Sequence, residues 1–234
     1  MSTLYFRDRE NVNLEDVVFE ASVSEQIGQF LKEHQFSEIL HHYELPVANK
    51  IFLYGKTGCG KTMTAKAIAK ELDKKIFIVN LSTIVSSKLG ETAKNIHNIF
   101  KESNHESSVL FFDEFDSLGQ IRDYDNKDSS EMKRVVNALL QLIDNFPKNS
   151  ILIAATNQIQ MIDEALLRRF ELKLEFISPS DQVLDGYYDK LLSKFPIKYQ
   201  NVERKYAISF SEAKDFLFSQ VKNNIILDEM SKLS

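Results

Sequence analysis

Gly55-Lys56-Thr57-Gly58-Cys59-Gly60-Lys61-Thr62 is the stretch on which the reading of this chain turns. The apolar run before it, Ile51-Phe52-Leu53-Tyr54, predicts a buried strand. The run after it, Met63-Thr64-Ala65-Lys66-Ala67-Ile68-Ala69-Lys70-Glu71-Leu72, has a composition that favours helix. Strand, glycine-rich loop and helix in that order form the context of a phosphate-binding loop. Glycines let the backbone curl so that its N–H groups point inward at phosphate oxygens. The positive end of the following helix adds to the attraction. In this reading the segment from Gly55 to Met63 binds the nucleotide, Lys61 reaches its terminal phosphates, and the Thr62 hydroxyl ligates Mg²⁺.

Working outward, the apolar runs at 75–80, 108–112 and 151–155 predict further strands, and the alternating Glu171-Leu172-Lys173-Leu174-Glu175-Phe176 predicts a half-exposed edge strand. Helices are predicted from Ser24 toward Leu40 with a break in the middle, then over 93–103 and 131–143. The strand–helix alternation argues for an α/β fold: a five-stranded parallel P-loop sheet with helices on both faces. Beyond Pro179 only helices are expected, at 181–192 and 211–223, forming a small helical lid. The division is residues 1–177, including a strap at 12–45, and 178–234. Residues 1–11 are polar and read as a loose tail, and 120–129 as a mobile loop.

Composition narrows the function classes. The chain has 234 residues, 43% of them hydrophobic and 27% charged, with a net charge of -5. That is ordinary globular composition without the basic bias of a nucleic-acid binder. The single Cys59 excludes an internal disulfide and fits the reducing cytoplasm. No apolar run approaches the ~20 residues of a membrane span, and no secretory signal stands at the N-terminus.

Two further signals carry chemistry. Asp113-Glu114 ends the strand at 108–112, at the edge where open α/β sheets bind ligands. Asp113 is placed to hold Mg²⁺ and Glu114 to polarise a water for attack on the γ-phosphate. Asn157, at the end of the next strand, can orient that water, although an Asn there is also a common turn residue. Arg168-Arg169 precede the last strand. Such a pair is most often a surface ion-pairing site, but its distance from the P-loop also suits arginine fingers given to a neighbouring subunit.

Together these motifs resemble the AAA family of ATPases, within the AAA+ superfamily, from about Leu14 to about Leu227. Gly55 to Thr62 resembles Walker A, Leu110 to Glu114 Walker B, Asn157 sensor 1, and Leu167 to Phe170 the arginine-finger box. The resemblance implies ATP with Mg²⁺ bound between subunits, an oligomer that is usually a hexameric ring, and Val18 near the adenine. The chain also departs from the family. Lys56 and Thr57 stand where two prolines are common, and Lys88 stands where many relatives carry a pore-loop aromatic that grips polypeptide. The lid start at 208–213 has no sensor 2 arginine. With residues 12–45 already resembling the family's own strap and helix, no separate substrate-choosing domain is expected. A stand-alone module of this kind is similar to small bacterial AAA ATPases that serve a separately encoded effector.

The expected activity is therefore Mg²⁺-dependent ATP hydrolysis in a cytoplasmic assembly, coupled to a protein partner. An ATP-switched scaffold with slow turnover is the alternative. A DNA-associated loader is disfavoured by the net charge.

Overall fold

The computed structural model describes residues 5–7, 12–85, 91–104, 107–120 and 128–233. Its strands are β1 (Phe6–Arg7), β2 (Lys50–Gly55), β3 (Ile76–Asn80), β4 (Val109–Asp113), β5 (Ile151–Thr156) and β6 (Leu172–Phe176). They form one sheet in the order β1-β3-β4-β5-β2-β6. The five strands from β2 to β6 pair in parallel, as the apolar runs predict. β6 lies at an edge, and its alternating residues are alternately buried and accessible.

The N-terminal tail departs from its expectation. Phe6 and Arg7 pair antiparallel with Ile78 and Phe77, and the Tyr5 ring meets Phe77 edge-on at 5.0 Å. The outer edge of β3 would otherwise present unpaired backbone groups, and this short strand covers it.

The helices are α1 (Ala21–Gln35), α2 (Ser37–His42), α3 (Lys61–Glu71), α4 (Leu81–Val85), α5 (Thr92–Asn104), α6 (Ser117–Gln120), α7 (Asp128–Asp144), α8 (Glu164–Leu167), α9 (Asp181–Leu192) and α10 (Phe210–Leu233). The first predicted helix is broken at Phe36, as its interrupted periodicity suggests, but it starts at Ala21 with Glu20 as N-cap rather than at Ser24. The expected loop at 120–129 is helical at both ends, through α6 and α7, and its interior lies outside the described residues.

Alternation along the strands divides the core between two faces. Leu110 and Phe112 of β4 pack with α5 and α7 through Ile96, Phe100, Val135 and Leu139. Val109 and Phe111 point the other way, to Val23, Ile27, Ala65 and Ile68 of α1 and α3. Helices thus cover both faces, which is why the central strands read as continuous apolar runs.

A third apolar cluster joins α9 and α10 through Leu184, Tyr188, Leu191, Ala213, Leu217 and Val221. The buried positions on α10 recur every four residues and stop at Val221, yet the helix continues to Leu233 with Ile226, Leu227 and Met230 exposed. Apolar periodicity therefore marks the packed portion of α10, not its length. Among the described residues, no helix is long and apolar enough to cross a membrane.

At the end of β2, Gly55 has φ +124° and leaves room only for a hydrogen. A Cβ built there would lie 2.1 Å from the Phe176 carbonyl oxygen of β6. Gly55→Ala must therefore strain the turn or push β2 and β6 apart. We expect it to lower the unfolding free energy by roughly 2 kcal/mol or more, read from urea unfolding. An unchanged midpoint would contradict the observed approach of the strands.

Candidate nucleotide site

Three strand ends build the site. β4, β5 and β2 are neighbours in the sheet, so Asp113, Thr156 and Gly55 finish side by side. After Gly55 the loop turns through Gly58 at φ +75° and Gly60 at φ +102°, and α3 begins at Lys61. Left-handed glycines ahead of a helix N-terminus make a concave cradle of N–H groups suited to phosphate.

Lys61 is buried, at 7% exposure, and its ammonium donates to the Gly55 and Lys56 carbonyls, each at 2.8 Å. Burial lowers its pKa below the ordinary lysine value, while Cys59, Asp113 and Asp116 pull it back up. A cation stripped of water inside the cradle is a strong partner for phosphate oxygens.

The Thr62 hydroxyl donates to Asp113 Oδ2 at 3.0 Å, and Asp113 Oδ1 accepts from the Glu114 N–H at 2.9 Å. This pair of oxygen donors suits Mg²⁺, which takes few protein ligands and keeps waters or phosphates for its remaining positions. Glu114 has φ +54°, a left-handed conformation that is costly outside glycine.

A cavity of about 460 Å³ brings Gly58, Lys61, Thr62, Asp113, Glu114 and Asn157 together. Thr57, Gly60 and Met63 also line it. The other sequence candidates lie elsewhere. Lys56 bonds to Ser178 Oγ at 2.9 Å, and its N–H donates to the Phe176 carbonyl at 2.9 Å. Val18 and Cys59 share a separate small recess with Phe176 and Phe210. Arg168 and Arg169 stand beyond α8, outside the cavity lining. Arg168 pairs with Glu164 at the surface, its side chain 71% exposed. Arg169 is tied to Asp144 at 3.0 and 3.3 Å and to the Ala165 carbonyl at 2.8 Å. Of the expected pore loop, 86–92, residues 86–90 including Lys88 lie outside the described residues.

Sequence reasoning missed the far wall of the cavity, formed by Tyr187, Phe210, Ser211 and Lys214. These residues belong to α9 and α10. The Ser211 N–H donates to the Gly58 carbonyl at 3.2 Å, so the lid touches the phosphate loop directly. Nothing in the periodicity of α9 or α10 distinguishes a cavity-facing side chain from a solvated one.

The comparisons with known proteins agree with this architecture. Residues 51–178 match the ATPase family associated with various cellular activities (AAA). The chain belongs to this AAA family. It is 35% identical over 217 residues to an AAA family ATPase of Sinorhizobium fredii named y4kL, covering 92% of this chain and 66% of that protein. It is 36% identical over 179 residues to the 26S proteasome regulatory subunit 8 homolog of Schizosaccharomyces pombe, covering 68% and 44%. The crystal structure of the FIGL-1 AAA domain in complex with ADP superposes with a TM-score of 0.65 at 24% identity, covering 82% of this chain and 64% of that one. The chain thus spans about two-thirds or less of the length of these relatives.

Cys59 is 3% exposed, its thiol contacts the Thr57 carbonyl at 3.8 Å, and burial pushes its pKa up. The thiolate is the reactive form, so native protein should be alkylated at pH 8 about tenfold or more slowly than urea-unfolded protein. Equal labelling rates would show that the P-loop is open to solvent.

Proposed function

We propose that this chain binds ATP with Mg²⁺ and hydrolyses it as one subunit of a homo-oligomer acting on a protein partner. The observation that carries the reading is the meeting of Lys61, Thr62, Asp113, Glu114 and Asn157 around one cavity. Lys61 and the N–H groups of the loop from Gly55 to Met63 bind the phosphates. Thr62 and Asp113 would hold Mg²⁺, which would offset negative charge on the nucleotide's phosphates. Glu114 accepts a proton from the attacking water, and Asn157 orients that water by hydrogen bonding. The adenine lies toward Val18 and the lid.

Arg168 and Arg169 act in trans on the next subunit's nucleotide, in an assembly read as a hexamer. Arg168 is the more readily donated, because its surface pair with Glu164 is solvent-screened, whereas Arg169 must first leave Asp144 and Ala165. Residues 1–177 form the nucleotide-binding subdomain and 178–234 a lid with its own apolar cluster, which the Ser211–Gly58 contact couples to the phosphate loop. Names such as 26S proteasome regulatory subunit among the relatives support a protein partner, and the reading sets the assembly in the cytoplasm without a nucleic-acid partner.

Glu114→Gln should keep ATP affinity while losing turnover by about a hundredfold or more. Lys61→Ala should lose affinity itself. Normal turnover in Glu114→Gln would overturn the assignment of the base. Arg168→Ala and Glu114→Gln subunits, each inactive alone, should regain turnover on mixing, because one kind of interface then pairs an intact arginine with an intact glutamate. No gain on mixing, with turnover independent of protein concentration, would overturn the shared site.

A further inference from the structure

The paired ladder between β4 and β5 ends at Phe112 and Ala154. Glu114 and Asn157 stand past the end of that ladder. Two contacts join the strand ends there. The Phe115 N–H donates to the Ala155 carbonyl at 2.8 Å. One residue further, the Asp116 carboxylate accepts the Thr156 hydroxyl at 2.6 Å and reaches the Asn157 N–H at 3.4 Å. Thr156 Oγ1 in turn accepts from the Gln158 N–H at 2.9 Å, so the turn carrying Asn157 is held from both sides.

Glu114 is arched between these pins. On one side Asp113 is fixed through Thr62. On the other, Phe115 and Asp116 are fixed to β5. The left-handed φ of +54° at Glu114 persists because both of its neighbours are pinned. The pin itself is an unusual choice. Asp116 is 6% exposed and Thr156 1% exposed, and burying a carboxylate is costly where a neutral side chain could tie two loops. A short charge-assisted bond gives a shorter and stiffer link than a neutral one.

We propose that Asp116 is a positioning residue for hydrolysis: through Thr156 it holds Asn157 and Glu114 in register past the ends of β4 and β5. The inference rests on the hydrolysis reading above. Neither Asp116 nor Thr156 lines the cavity, so their hydrogen bond acts through the two groups that do. A displacement of about 1 Å between a base and a water-orienting group can cost about a hundredfold in rate while leaving ground-state binding intact. The phosphate cradle is built from β2 and α3, so removing the Thr156 hydroxyl should leave nucleotide affinity in place; Asp116 also raises the pKa of Lys61, so affinity is judged on the Thr156 variants.

The experiment compares wild type, Thr156→Val, Thr156→Ser, Asp116→Asn and Glu114→Gln. Turnover is measured at saturating ATP and affinity with a fluorescent ATP analogue, with turnover normalised to binding-competent protein. Thr156→Val keeps the shape and removes the hydroxyl. It should lose tenfold or more in kcat with affinity within about twofold. Thr156→Ser restores the hydroxyl and should recover most of the loss. The double variant Asp116→Asn with Thr156→Val should be no slower than the slower single variant, since both act through one contact. Turnover of Thr156→Val within twofold of wild type would overturn the proposal. So would parallel losses of turnover and affinity, or a Thr156→Ser variant as slow as the valine. Wild-type turnover no higher than that of Glu114→Gln would overturn the hydrolysis reading and this inference with it. Normal wild-type turnover with an unaffected valine variant would overturn this inference alone.

Discussion

Because β4, β5 and β2 pair in parallel, their carboxyl ends stop side by side at one edge of the sheet. Every group of the site hangs on that fact. Lys61 and Thr62 follow the end of β2, Asp113 closes β4 with Glu114 after it, and Asn157 follows the end of β5. A parallel ladder needs a crossover between strands, so each end releases its chain into a loop where functional side chains can stand. The apolar faces above and below make those ends rigid. With Ile51, Leu53, Phe111 and Ile153 all at 0% exposure, the strands have no slack in which to slide.

The same edge is where the fold stores strain and charge. Gly55, Gly58, Gly60 and Glu114 all have positive φ within reach of the cavity, Lys61 is a buried cation, and Asp116 is a buried anion. Glycine takes positive φ readily, whereas the left-handed Glu114, the buried Lys61 and the buried Asp116 are unfavourable in isolation and are held by their neighbours. The strap and lid complete the surround. Lys190 of α9 donates to the Glu15 carbonyl, and the Ser180 N–H donates to Glu20 at 3.0 Å. These contacts tie the segment between β1 and β2 to the segment that follows β6.

Much of this was legible in the sequence, for local reasons. The glycine spacing at 55–60 encodes a backbone path that only glycine adopts easily. The Val109–Phe112 run ending in Asp113-Glu114 encodes a buried strand that delivers two carboxylates to one edge. The α9 boundaries were readable because Ser180 and the helical spacing of Leu184, Tyr188 and Leu191 are local signals. The short strand at Phe6–Arg7 was not readable, since two residues carry no period and their pairing is set by the edge of β3 alone. Nor was the length of α10, whose final turns have no buried face.

The succession of the five parallel strands with their main helices, the phosphate loop, and the residue types at the strand ends are written locally in the chain. All of these depend on spacing within a few residues. Long-range packing sets the rest: Asn157 and Glu114 line one cavity, Asp116 locks onto Thr156 forty residues away in the chain, and Tyr187, Phe210 and Lys214 form the far wall. It also separated the two arginines, leaving Arg168 on the surface and anchoring Arg169 to Asp144. The physical reason is common to all of these. A contact between distant segments depends on the sheet order and on the packing of helices against it, and no local period records where two such segments meet.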